Sequence, residues 1–335
     1  MDLAWYVLLG LFSAAYLVLA GFDYGVGLLL ARGVDPTERR AALTALGPFF
    51  LGNEVWLVAA VGILFGAFPV LEGELLAGCY PAVAGALVGV ILVTVGVQLR
   101  SRPTGQRSRA RWDRVVLIGS ALAALGWGVL LAALLQGVPR QADGHVAGVS
   151  HLVTPFAASV ALAMVALFAL HGATFLTLRL PAASADTLGR TARRLVPVAL
   201  TAVASATVVG LLSTRVRDAV QRPAVAVLLP VLLAVALLAA RAALARRRPG
   251  WAVLATGAAL ALPVALVGAT LWPYVLVSTS DPNASLTVAD AAASTPTLRL
   301  LGWVALPLLP ALLGFQAMCW WVFRGRTDGR APVYW

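Results

Sequence analysis

Lysine is missing from this 335-residue chain, so all 25 of its basic side chains are arginine. Acids are few as well: 14 Asp and Glu leave a formal net charge of +11. Such an excess could serve nucleic acid, but the arginines stand in short clusters between apolar blocks. That distribution orients membrane helices and does not line a groove for phosphates, so nucleic acid is excluded as a partner. Cysteine occurs only twice. Cys79 and Cys319 lie in apolar segments without CxxC spacing or a neighbouring histidine, and they read as small buried hydrophobes. Histidine occurs three times. A six-coordinate haem needs two axial ligands on facing elements, and a metal site needs several converging ligands. His145 and His151 fall in or beside a polar loop, while Met164 and His171 share one helix and cannot face each other. Neither a metal site nor a resident haem is expected. No phosphate-binding glycine loop, nucleophile elbow or dinucleotide fingerprint occurs, which removes the apparatus of soluble-type catalysis.

Apolar length fills the space these absences leave. Hydrophobic residues make up 61% of the chain, and the mean hydropathy is +0.90. Apolar runs lie near 3–30, 49–70, 76–99, 115–136, 152–178, 195–213, 223–245, 251–277 and 300–323. Each is long enough, at about 1.5 Å per residue, to cross a hydrocarbon core of roughly 30 Å. The first carries Asp2 where a secretion leader has a basic segment, and it is read as a retained span. The expected fold is therefore all-α, a single polytopic membrane domain over 1–335. Loop spacing is compatible with two four-helix bundles followed by one extra helix.

Strict alternation of nine spans sorts the arginines. Arg32, Arg39, Arg40, the run from Arg100 to Arg114, Arg179, Arg190, Arg193, Arg194, Arg241, Arg246 to Arg248, Arg324, Arg326 and Arg330 fall on one side. Only Arg140, Arg215, Arg217, Arg222 and Arg299 fall on the other. The positive-inside rule then places the N-terminus outside and the C-terminus in the cytoplasm.

Polar residues within spans are costly, so each is a candidate for function. Asp23, Asn53, Glu54 and His171 are the ones that matter. With span 2 starting after Pro48, Asp23, Glu54 and His171 come out roughly 8 to 14 Å from the cytoplasmic helix ends, in one tier. Asp23 has a structural alternative, because Gly21 and Gly25 are four apart and let another backbone approach, leaving the carboxyl to bond a neighbour. His171 has the alternative of a satisfied core imidazole. For Glu54 an unpaired carboxylate at that depth is harder to explain structurally.

The segments GFDYGVGLLL (21–30), ERRAALTALGP (38–48), GNEVWLVAAVGILFGAFP (52–69), RWD (111–113), LLQGVP (134–139), TPFA (154–157), HGATFL (171–176) and WPYVLVSTSDPNASLTVADA (272–291) together resemble subunit II of the cytochrome bd-type quinol oxidases. The resemblance implies nine spans in the bacterial cytoplasmic membrane and a haem-bearing subunit I as partner. The pair oxidises quinol and reduces dioxygen to water. Subunit II typically carries no haem; a structurally held quinone and small accessory subunits fit the same reading. Many members have an acid before each of the first two glycine motifs, where this chain has Ala20 and Leu51, and Phe50 replaces a tryptophan. Because those acids are associated with proton delivery, any proton traffic here falls to Asp23 and Glu54, with Asn53 and His171 in the same tier. Dioxygen is apolar, and a seam lined by Trp56, Val55, Ile63 and Phe65 is its expected path. Two other readings stand beside this one: a secondary transporter, which should show paired broken helices in its two halves, and a purely structural assembly subunit.

Overall fold

The computed structural model describes residues 1–30, 36–100, 102 and 105–327. Arg32 and Arg330, counted above, lie outside the described residues. The long helices are α1 (Asp2–Leu29), α2 (Pro36–Ala67), a short α3 (Pro69–Gly78), α4 (Tyr80–Leu99), α5 (Gln106–Gln136), α6 (Pro155–Arg179) and α7 (Ala182–Leu212). After a one-turn α8 (Thr214–Ala219) come α9 (Pro223–Ala245), α10 (Pro249–Leu271), a second one-turn helix α11 (Val288–Ala291) and finally α12 (Thr295–Val322). Among the described residues nine helices are long and apolar enough to cross a membrane: α1, α2, α4, α5, α6, α7, α9, α10 and α12.

Several boundaries differ from the sequence expectation for physical reasons. Helix α2 begins at Pro36, well before Pro48, which lies inside it. Proline removes one backbone donor, but Leu46 and Phe49 on either side are buried in the core and hold the helix on course. Helices α5 and α7 likewise start before their apolar runs, on basic turns that the hydropathy reading left out. The run near 76–99 divides at Cys79, between α3 and α4. The run near 251–277 stops at Leu271, and the chain continues as strand β1 (Tyr274–Leu276), antiparallel to β2 (Leu286–Thr287).

Helices α1, α2, α4 and α5 form one bundle, and α6, α7, α9 and α10 a second. Helices α1 and α6 run between them: α1 packs on α2, α5, α6 and α10, and α6 on α5, α7 and α10. Helix α12 stands apart against α2. With no water in the hydrocarbon layer to solvate loops, every span has to keep its own backbone hydrogen bonds, and a side chain at a helix end can satisfy one that the helix leaves open. Thr154, for example, accepts from the Ala157 amide at 3.0 Å and starts α6 just ahead of Pro155.

One end of the molecule is closed by α3, the small sheet and α11. Arg140 there pairs with Glu74 at 3.6 Å and donates to the Ala284 carbonyl at 2.6 Å. The NASLT motif belongs to this cap: Ser285 accepts from the Ser278 amide at 3.0 Å, and Thr287 caps α11. Its role here is therefore structural. At the opposite end Asp113 of α5 takes both Arg39 of α2, at 3.1 Å, and Arg100 at the end of α4, tying three helix ends together.

Candidate functional site

The polar cluster grows from the packing of α1 on α2. Asp23 sits nearly two turns before the end of α1 and is 2% exposed; Asn53 on α2 is fully buried. Asn53 Nδ2 donates to Asp23 Oδ2 at 2.9 Å. The other oxygen of each group, Asp23 Oδ1 and Asn53 Oδ1, is buried without a hydrogen-bond partner among the described residues. Both are acceptors, so they cannot satisfy one another unless a proton or a bridging donor is supplied.

Successive helical residues diverge by about 100°, and Glu54 accordingly turns away from α1. Thr94 of α4 donates to its Oε1 at 2.5 Å, while the same hydroxyl lies 2.9 Å from the Val90 carbonyl. Helix α4 packs chiefly on α5, so the Glu54–Thr94 bond bridges the crevice between α2 and α4. Glu54 is only half-buried there, and Leu51, Val55 and Val58 beside it are exposed. The two carboxyl groups remain within electrostatic reach. Because α2 starts at Pro36, the distance from Pro48 no longer fixes the depth of Glu54. Its level follows instead from Thr94, five residues before the end of α4, or roughly 7 Å at 1.5 Å per residue.

Tyr16 and Tyr24, eight apart on α1, join their hydroxyls next to this cluster. The Tyr16 ring packs edge-on against Trp127 of α5 at 5.4 Å. Sequence reading missed this tyrosine pair and Thr94. The signal for Thr94 was a lone hydroxyl in the apolar stretch VILVTVGV, which becomes meaningful only once α2 lies opposite.

His171 packs beside Phe22 of the same stretch of α1, its ring 6.1 Å away, but bonds other partners. Its Nε2 lies 3.1 Å from the Val18 carbonyl and its Nδ1 2.7 Å from Thr256 Oγ1. A carbonyl can only accept, so the proton belongs on Nε2 and Nδ1 accepts from the threonine. The imidazole thus links α6 to α1 and α10, and its hydrogen bonds do not reach Asp23, Asn53 or Glu54. Ligation of a haem iron would need a free ring nitrogen, which His171 lacks; His145 is exposed on the loop after α5. Among the described residues there is no group of three His, Cys, Asp or Glu able to hold a metal ion. His151, in the turn before α6, is buried with neither ring nitrogen hydrogen-bonded among the described residues.

Trp56 is 7% exposed and packs on Phe12 of α1 at 5.3 Å. Its Nε1 donates to Gln316 Oε1 of α12 at 3.3 Å. Trp56 and Ile63, two turns apart, share the inward flank of α2, whereas Val55 and Phe65 are 43% and 50% exposed on the outer one. The four residues do not line a single seam. An apolar cavity of about 360 Å³ lies between α5 and the second bundle, bordered by Leu135, Phe156, Met164, Leu233 and Leu266.

Comparison with known proteins agrees with this architecture. The family model described as cytochrome bd terminal oxidase subunit II matches residues 1–323. The chain is similar to the cytochrome bd-I ubiquinol oxidase subunit 2 of Escherichia coli K12, 30% identical over 364 aligned positions that span 96% of this chain and 94% of that one. It is also 30% identical to the cytochrome bd ubiquinol oxidase subunit 2 of Bacillus subtilis, over 98% of this chain and 97% of the relative. The bd oxidase from Geobacillus thermodenitrificans has a chain of the same fold, with a TM-score of 0.72 at 20% identity, covering 96% of this chain and 98% of that chain. This multi-pass membrane protein belongs to the cytochrome bd terminal oxidase subunit II family.

Proposed function

We propose that the chain is the haem-free half of a quinol-oxidising, dioxygen-reducing complex, and that Asp23, Asn53 and Glu54 conduct protons or water from the cytoplasm towards the haems of subunit I. The N-terminus lies outside in this reading and the C-terminus inside, because the arginine-rich ends of α2, α4, α6, α7 and α9 then face the cytoplasm.

One observation carries the proposal: Glu54 opens onto an exposed apolar flank of α2. A carboxylate facing acyl chains costs several kcal/mol, so that flank is covered by protein, and the partner subunit supplies it. Glu54 then stands at the interface, with Thr94 holding one oxygen and leaving the other free to exchange a proton. Asp23 and Asn53, with an unpartnered acceptor each, take up bridging waters. Dioxygen needs no polar residues and reaches the partner along the Trp56 and Ile63 flank. The apolar cavity between α5 and the second bundle takes the tail of a structurally held quinone, and membrane lipid or small accessory subunits cover the remaining faces. A transporter is disfavoured, because the prolines inside α2, α7, α9, α10 and α12 interrupt none of those helices.

Glu54→Gln combined with Asp23→Asn tests the route in the assembled complex. Slowed turnover and slowed proton uptake, with haem content and assembly unchanged, are the expected result. Unchanged rates would assign the cluster to packing alone, with the whole route in subunit I.

A further inference from the structure

The geometry points to an anionic phospholipid site on the arginine-rich end of the second bundle, between α7 and α9. A crevice of about 490 Å³ there is lined by Arg190, Arg193, Arg194 and Pro197 of α7 and by Arg241 and Ala245 of α9. Among the described residues none of these four arginines lies within ion-pair distance of a carboxylate. Arg190 reaches Thr187 at 3.1 Å and Arg193 the Leu244 carbonyl at 3.5 Å, which leaves most of their donors turned outward. Asp186, the nearby acid, pairs at 3.8 Å with Arg247 instead.

The first bundle shows what is missing. At the start of its second span stands Arg39, at the end of its third Arg100, and near the start of its fourth Asp113, which pairs with both. The second bundle repeats the basic residues at the start of α7 and the end of α9. The start of α10, however, reads RRRPGW and supplies no acid. Four guanidinium groups left together repel, and a phosphate from outside can do what Asp113 does inside.

The location decides which phosphate. One turn further into the membrane, Val198 of α7 and Leu238 of α9 are 53% and 52% exposed, so the crevice continues into a surface suited to acyl chains. A headgroup held by the arginines with its tails along Val198 and Leu238 satisfies both halves, and the number of arginines suits a headgroup carrying two phosphates.

The test uses the whole complex, delipidated in detergent, with diphosphatidylglycerol, phosphatidylcholine or inorganic pyrophosphate added back. Thermal unfolding and the lipid that co-purifies are the readouts. Diphosphatidylglycerol should raise the melting temperature while phosphatidylcholine does not, and Arg193→Gln with Arg241→Gln should weaken the response about fivefold per arginine removed. Arg102→Gln with Arg107→Gln, an equal change of charge on exposed residues away from the crevice, should leave it intact. If the double substitution destabilises the complex, Arg241→Gln alone, read by its co-purifying lipid, decides. Equal responses of wild type and the crevice variant overturn the site; pyrophosphate matching the lipid overturns the assignment to a membrane ligand.

Discussion

Gly25 of α1 and Gly172 of α6 meet backbone to backbone. A Cβ on Gly25 would stand 2.0 Å from the Phe168 carbonyl oxygen and 2.6 Å from the Gly172 amide nitrogen. Neither atom can swing aside, so the small residue at this crossing sets how closely the two bundles join. Gly25→Ala is expected to cost at least the ~1–3 kcal/mol usual for overpacking, seen as a lower melting temperature of the complex. Gly10→Ala on the same helix, with nothing within 4 Å of its added methyl, should not destabilise it. A normal melt for Gly25→Ala would show that the bundles are not held by this contact.

Among the described residues the Thr94 hydroxyl is the single side-chain donor to Glu54, at 2.5 Å. Thr94→Val keeps the shape and removes the donor. Hydrogen bonds to charged groups contribute about 1.5–3 kcal/mol, so proton uptake by the complex should slow about tenfold or more while haem content holds. Thr94→Ser should restore the rate. Equal uptake in all three proteins would show that Glu54 does not depend on α4.

Much of this was legible in one dimension. Hydropathy measures how many consecutive residues the hydrocarbon layer accepts, and that quantity located the spans. It is blind to helix that projects beyond the layer, which is why the starts of α2, α5 and α7 lay earlier than expected. Pro48 misled for a related reason: proline is unfavourable in an isolated helix, yet Leu46 and Phe49 pack well enough to carry the chain past it. The candidate residues split in the same way. Asp23, Asn53 and Glu54 were visible because charge in a span is rare, but their partners were not. His171 shared their apparent depth, yet its partners Val18 and Thr256 lie 153 and 85 residues away, and only folding reveals that they occupy its nitrogens.

Helix α12 is almost entirely exposed, and the Trp56–Gln316 bond is one of the few polar ties to its neighbour α2. Gln316→Leu should therefore leave the buried indole N–H unpaired at a cost of about 1–3 kcal/mol. The expected signature is local: faster hydrogen exchange or proteolysis in α12, with the two bundles protected as before. Uniform protection would mean that apolar packing, including Trp320 against Phe49 at 4.6 Å, holds α12 without this bond.

His151 offers a test at the opposite end of the protein, in the turn before α6, where it is 3% exposed. Burial lowers its pKa below the usual 6.5, and the positive charge of Arg215 adds to the effect. The folded protein therefore resists a proton that the unfolded chain takes up near pH 6.5. Stability should be level above about pH 7 and decline as the pH falls through 6.5, by no more than about 1.4 kcal/mol per pH unit for this one group, flattening once the folded form is protonated too. His151→Leu abolishes the titration while keeping an apolar side chain in the site. Its melting temperature should lose less than that of wild type between pH 7.5 and pH 5.5, and parallel curves for the two proteins would show that the imidazole takes its proton as readily in the fold as in solution.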